Sequence, residues 1–279
     1  MQEKEIQFRQ KRELGQVMSD SFDFLKQESK PLFRLILVYV VPFIVLYVIA
    51  QIYFQKNVLT RFDFTDPEAM QANIGPIYLN AVIFLGFFLF IQSLLAGTFY
   101  SYIEAYVKKG SGNFELSDIA PHFFSNSLMA LGAGIVFAVL TLFGSMFCLL
   151  PGIYLANTLS LVFIGIVFEK KGLSSAMSKS WKLVNAQWWN TFALNLLGII
   201  FVIGVSLLLS VPLMLISTSQ GLEAGTSGTL IEYPQWYWVV NGISSVISTA
   251  LFIVLYTFMA FQYFNLEERT NPTLPSDVI

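Results

Sequence analysis

Charge, histidine and cysteine are all scarce in this sequence. Only 12% of its 279 residues are charged, against about 25% in a soluble globular domain, and that shortfall all but rules out a soluble protein. Sixteen Lys and Arg face eighteen Asp and Glu for a net charge of −2. Nucleic acid is therefore excluded as a partner, because no basic surplus exists to neutralise phosphates. A hydrophobic content of 55% excludes a disordered chain. The single cysteine, Cys148, forbids an internal disulfide, and the single histidine, His122, removes most metal and triad chemistry. No HExxH, GxSxG, GxxxxGK[ST] or CxxC pattern occurs. The reading is of no catalytic residue, no metal ligand, no cofactor and no enzyme.

What the chain has in abundance is long apolar runs. A helix needs about 20 residues to cross a bilayer core, and such runs lie at residues 32–54, 77–103, 127–150, 152–168, 190–216 and 237–264. The third and fourth form one uncharged stretch, 127–168, interrupted only by Pro151-Gly152. As one helix it would be about 63 Å long, twice the hydrocarbon thickness, so a tight hairpin is expected. The fold class is all-α and polytopic, with six transmembrane helices. Residues 1–31 form an N-terminus with an interfacial helix, 32–266 the membrane domain and 267–279 a short tail.

Charge placement orients these spans. With six crossings, only Lys56 and Arg61 fall on one side, and the other fourteen Lys and Arg fall on the side that holds both termini. That bias predicts that both termini lie in the cytoplasm. All five tryptophans lie beside expected helix ends, at headgroup level. The polar first 30 residues argue against a cleavable signal peptide.

Amphipathic segments precede the odd-numbered spans. Leu14, Val17, Met18, Phe22 and Leu25 recur at helical spacing, as do Leu173, Ala176, Met177, Trp181, Val184 and Trp188; such helices lie in the interface. An offset of 159 residues aligns residues 14–35 with residues 173–194 with six identities, among them Leu14 with Leu173, Met18 with Met177 and Ser21 with Ser180. Residues 115–126 supply a shorter third segment. The pattern predicts three repeats, each an interfacial helix followed by a hairpin.

Several motifs are shared with a known family. The opening Arg12-Glu13-Leu14-Gly15 with Ser19-Asp20-Ser21-Phe22, the hairpin Leu150-Pro151-Gly152-Ile153-Tyr154-Leu155, the segment Ala176 to Val184 ahead of Trp188-Trp189, and the ending Tyr263-Phe264-Asn265-Leu266-Glu267-Glu268-Arg269 resemble the glycerophosphoryl diester phosphodiesterase membrane-domain family. The likeness is greatest to the stand-alone versions common in Bacteroidetes. In the enzymes of that family the membrane domain precedes a catalytic barrel. The chain ends at Ile279, so the resemblance implies the membrane domain without hydrolase activity, and no catalytic residue carries over.

Candidate contacts follow from polarity. Lys26, Lys30, Arg34, Lys179 and Lys182 sit where anionic headgroups would meet them. Asn241, Ser244, Ser245 and Ser248 form an uncharged polar stripe in the sixth span, suited to interhelical hydrogen bonding, as are Gly132, Gly134, Gly198 and Gly204 to close packing. Arg34, Glu104 and Glu169 lie near helix ends, so no charge marks a proton path. Pro42 and Pro212 predict kinks. Residues 58–75, with Asp63, Asp66 and Glu68, read as a solvated loop. The expected function is a non-catalytic scaffold or partner subunit that binds membrane lipids and a membrane-protein partner. The alternative is a handler of lipid or small solute with a site between hairpin units.

Overall fold

The computed structural model describes residues 6–57, 67–147, 149–170, 172–227 and 233–272. Among them every regular element is a helix: α1 Leu14–Gln27, α2 Ser29–Tyr39, α3 Val41–Asn57, α4 Pro67–Lys109, α5 Leu116–Phe147, α6 Leu149–Thr158, α7 Val162–Glu169, α8 Leu173–Ala186, α9 Trp188–Ser227, α10 Gln235–Ala250 and α11 Phe252–Thr270. Five helical stretches are long and apolar enough to cross a membrane, and the bent pair α2–α3 makes a sixth if it acts as one span. The protein is a multi-pass helical membrane protein.

The helices differ from the sequence expectation mostly at their breaks. The first span is two helices that meet at 53°. Pro42 has no N–H to donate to the carbonyl of Val38 and its ring crowds that carbonyl, so the helix breaks just before it, at Val40. Pro151-Gly152 does not divide two helices, because both residues lie inside α6; Pro151 sits near its start, where an N–H would go unused. The fourth span is broken again between α6 and α7. At 43 and 40 residues, α4 and α9 are each about 60 Å long and overrun the expected spans. Glu68 is therefore helical, whereas Asp63 and Asp66 lie outside the described residues, as does Cys148. Likewise α9 extends to Ser227 across much of the expected final loop, and residues 115–126 are almost all the first turns of α5. Pro212 lies inside α9 without ending it.

Turns and caps gather one end of the bundle. Gly110 and Gly112 adopt φ of 82° and 72°, a conformation that glycine enters without strain, and they turn the chain from α4 into α5. Lys170 closes α7 in the left-handed region at φ 50°. α1 begins with Gln16 Oε1 accepting the backbone N–H of Glu13 at 2.9 Å, half of a capping box. α1 packs against α11, the first turns of α5 against the last turns of α4, and α8 against α7. α1 and α8 are both 14 residues long, and their buried residues Val17, Ser21 and Phe24 occupy the register positions of Ala176, Ser180 and Leu183.

This charged end is the packed end. The main apolar core runs through Phe8, Phe24, Phe99, Tyr102, Ile103, Ile164, Val167, Phe258, Phe261 and Phe264. Phe8 stacks on Phe261 at 4.4 Å and meets Phe24, Tyr106 and Phe264 edge to face. Towards the far end the helices expose apolar faces, as at Tyr78, Leu79, Val82, Leu207, Leu208 and Met214. The tryptophans divide: Trp181, Trp189 and Trp236 are exposed, while Trp238 is buried beneath the ammonium of Lys56 at 4.9 Å.

Close approach depends on glycines that composition does not distinguish. A Cβ on Gly97 would lie 2.6 Å from backbone atoms of Ser127, and one on Gly144 would lie 3.3 Å from backbone atoms of Gly152, so α4 meets α5, and α5 meets α6, nearly backbone to backbone. A Cβ on Gly198 of α9 would meet the Leu255 side chain of α11 at 2.7 Å, whereas Gly132 and Gly204 face open space. Replacing Gly97 by Ala is expected to lower the thermal unfolding midpoint in detergent, a loss of about 1–3 kcal/mol from overpacking. Gly204→Ala should leave it unchanged, and equal midpoints for the two variants would show that the α4–α5 approach can relax.

Candidate functional site

Three polar or hollow regions stand out, each positioned by the packing just described. The first straps the N-terminal segment to α11. Arg12 is only 3% exposed, so its charge must be satisfied inside the protein. Its Nε donates to Asp20 Oδ2 at 2.6 Å and its NH1 to the Phe8 carbonyl at 2.8 Å, and the guanidinium lies 4.9 Å over the Phe261 ring. The Arg12 backbone N–H donates to Asn265 Oδ1 at 2.8 Å. Arg269 donates to the same Oδ1 at 3.0 Å and to the Arg12 carbonyl at 2.7 Å. Asn265 passes the chain on to Gln262, whose Nε2 donates to Thr191 Oγ1 on α9 at 3.0 Å. The motifs Arg12–Gly15 and Tyr263–Arg269, at opposite ends of the sequence, thus meet in one network.

The second region is a ladder of ion pairs between successive helix ends. Glu104 of α4, 8% exposed at its side chain, pairs with Lys108 at 2.6 Å and with Lys170 at 3.2 Å. Lys179 of α8 pairs with Glu169, with Glu267 at 2.7 Å and with the Tyr263 hydroxyl at 3.0 Å. Burial works against the charge on Lys179, but the two carboxylates outweigh it and hold its pKa above the ordinary lysine value. That contribution is complete below the ordinary value and fades only as pH rises through the raised one, so it is fully present at neutral pH. At the α5 start, hydrogen bonds from Lys109 and from the Glu115 backbone lower the pKa of Asp118.

The third region is a cavity of about 360 Å³ between the second and third hairpins. Phe137 of α5, Ala156 and Asn157 of α6, Phe163 of α7, Asn195 and Ile199 of α9 and Met259 of α11 are among the residues that line it. Its walls are apolar apart from a few polar groups. Asn195 Nδ2 donates to Asn157 Oδ1 at 2.8 Å, and Asn157 Nδ2 donates to the Trp188 carbonyl at 3.1 Å. Ser160 Oγ is buried without a hydrogen-bond partner. Tyr256, also on the lining, donates to Gln92 Oε1 at 2.8 Å, and the Gln92 Nε2 is left unpaired. Ile153, Leu196 and Ile199, all on this lining, are exposed towards the membrane.

The residues singled out from sequence are distributed among these regions. Lys30 and Arg34 line a separate bowl of about 820 Å³ at the charged end. Lys26 is exposed on the last turn of α1, Lys179 is held in the ion-pair ladder, and Lys182 is exposed with no ion pair among the described residues. Asn241, Ser244, Ser245 and Ser248 are half-buried on α10, which packs on α3 and α9; Asn241 Nδ2 reaches Gln55 Oε1 at 3.5 Å. Among the described residues no cluster of three His, Cys, Asp or Glu is placed to hold a metal. Periodicity missed Arg12, Glu28, Tyr102, Gln262 and Asn265, because only long-range packing gives these polar groups their partners.

Lys179→Gln would leave Glu169 and Glu267 facing each other without their shared cation. We expect a lower unfolding midpoint, about 2 kcal/mol for a partly buried pair, with Lys182→Gln unchanged and Glu267→Gln restoring part of the loss in the Lys179→Gln background.

Residues 119–266 match the family described as domain of unknown function DUF7847. No curated protein and no solved structure matches the chain. The match covers the second and third hairpins, and with them every residue that lines the 360 Å³ cavity; on this match over more than half its length, the chain belongs to the DUF7847 family.

Proposed function

We propose that the protein is a non-catalytic lipid-handling membrane protein whose cavity between the second and third hairpins takes the apolar chain of a membrane amphiphile. The observation that carries this reading is the cavity itself: apolar walls, a lining continuous with lipid-exposed Ile153, Leu196 and Ile199, and a few polar groups in a water-poor setting. Ligand sites commonly combine a mostly apolar lining with a few placed polar groups. Its 360 Å³ is about a dozen water volumes, the scale of an acyl chain segment. The unpaired Ser160 hydroxyl would donate to an ester or amide oxygen of the occupant.

The architecture we infer around it has six spans with both termini in the cytoplasm of a bacterial inner membrane. The positive bias and the meeting of four polar segments at one end support it. We also read the chain as three hairpin units, supported by the equal lengths and matching buried registers of α1 and α8. In this reading the likeness to the glycerophosphoryl diester phosphodiesterase membrane domain is one of membrane architecture. A second reading, a scaffold or partner subunit, is favoured by the outer faces of α4 and α9, whose most apolar windows are only 6% and 11% buried.

Extraction of the full chain into native lipid particles, with mass spectrometry of its lipids and proteins, tests both. We expect one enriched amphiphile, lost in Ala156→Phe, which fills the cavity. A stoichiometric protein partner with no enriched lipid would instead favour the scaffold. Topology is checked on a Cys148→Ser background: a cysteine at 110 or 172 should label only from the cytoplasmic side and one at 230 only from the opposite side.

A further inference from the structure

The bowl at the charged end is a different place from the cavity between the hairpins, and its chemistry is more specific. α2 carries Lys30 and Arg34 one helical turn apart on its exposed face. Like charges at this spacing repel each other, and neither forms an ion pair among the described residues. Glu28, at the junction of α1 and α2, is 3% exposed. Its Oε2 accepts from the Tyr102 hydroxyl, and its Oε1 accepts from the Ser111 hydroxyl at 2.6 Å. Both donors are neutral, and no cation among the described residues lies within ion-pair distance of Glu28. A buried carboxylate without a countercharge is costly, and here it lines the same bowl as the two unpaired cations.

The remaining charged group on the lining is Glu115. Two cations and two carboxylates give the bowl no net charge, so it suits a ligand carrying both signs better than a simple anion. From the bowl α2 continues towards Phe33 and Leu37, 66% and 49% exposed, so polar lining passes into an apolar surface along one helix.

We propose that this bowl is a binding site for a zwitterionic head group with a phosphate and a primary ammonium, the phosphate on Lys30 and Arg34 and the ammonium on Glu28. Arg34 supplies a planar donor fork for phosphate oxygens. The carboxylate takes the ammonium through N–H donation, which a quaternary ammonium cannot offer. The same chemistry is presented by phosphatidylethanolamine in a bilayer and by free phosphoethanolamine.

The test offers the purified full chain equimolar phosphatidylethanolamine, phosphatidylcholine and phosphatidylglycerol in detergent and counts retained lipid by native mass spectrometry. A preference for phosphatidylethanolamine of about tenfold is expected, the scale of one charge-assisted hydrogen bond. Glu28→Gln should erase that preference while phosphatidylglycerol retention persists. Lys30→Gln with Arg34→Gln, both at exposed positions, should lower retention of both phospholipids. Ala156→Phe should leave the preference intact, which separates this site from the cavity between the hairpins. A thermal shift with free phosphoethanolamine that depends on Glu28, without discrimination among the lipids, would assign the site to the soluble ligand. Equal retention of the three lipids with no such shift, or a preference unchanged in Glu28→Gln, overturns the proposal.

Discussion

The structure depends on the N-terminal segment lying against the last helix. Arg12 is buried, and a buried guanidinium persists only where hydrogen bonds replace its water. Asp20, the Phe8 carbonyl and the Phe261 ring meet that need, while the Arg12 backbone is fixed to Asn265 and Arg269. Because Phe8 then inserts among Phe24, Tyr106, Phe261 and Phe264, one polar anchor sets the packing of α1, α4 and α11 together. Each short interfacial segment in this fold lies on a helix that runs back to the charged end. The chain connects α4 to α5 and α7 to α8 directly, but α11 meets α1 only through this contact.

Closing the ring concentrates cohesion at one end. The carboxylates of Glu104, Glu169 and Glu267 stand near the last turns of α4, α7 and α11, and Lys170 and Lys179 reach across to them from other segments. In a partly dry environment such pairs are costly to break singly. At the far end the same helices show mainly apolar faces to their surroundings, and lipid solvates those as well as another helix would. The bundle is therefore held by specific polar contacts near one surface and is open to lipid elsewhere. A cavity between hairpins can persist under those conditions without unravelling the fold.

The spans were legible in the sequence because a run of about 20 apolar residues has few alternatives to a membrane helix. Their ends were less so. Pro42 announces a kink, but that α2 and α3 meet at 53° follows from packing around Val40. Pro151 looks like a turn, yet the start of a helix accepts proline, and Pro151 with Gly152 lies inside α6. Residues 217–227 are polar and include Gly221 and Gly225, but they hold no proline, and α9 runs on through them. At the candidate sites, amphipathic spacing identified Lys30, Arg34 and Lys179 as basic groups at one surface. It could not distinguish Lys179, met by Glu169 and Glu267 from two other helices, from Lys30 and Arg34, which have no such partners. Glu28 carried no signal, since its burial depends on Tyr102, 74 residues away.

The family match adds a division of labour to this picture. It spans residues 119–266 and so contains the whole cavity lining, but the bowl is built from residues 27–34, Tyr102 and the 111–117 turn, all outside it. The polar strap is split as well: Gln262, Asn265 and Thr191 fall inside the match, whereas Arg12 and Arg269 do not. The cavity between hairpins therefore lies within the matched region, and the bowl with its charged lining lies within the segments outside it. The segments outside the match also supply Phe8 and Arg12. The N-terminal share of the strap, Phe8 and Arg12, and the α2 share of the bowl, Lys30 and Arg34, are joined through α1, whose C-terminal end presents Glu28.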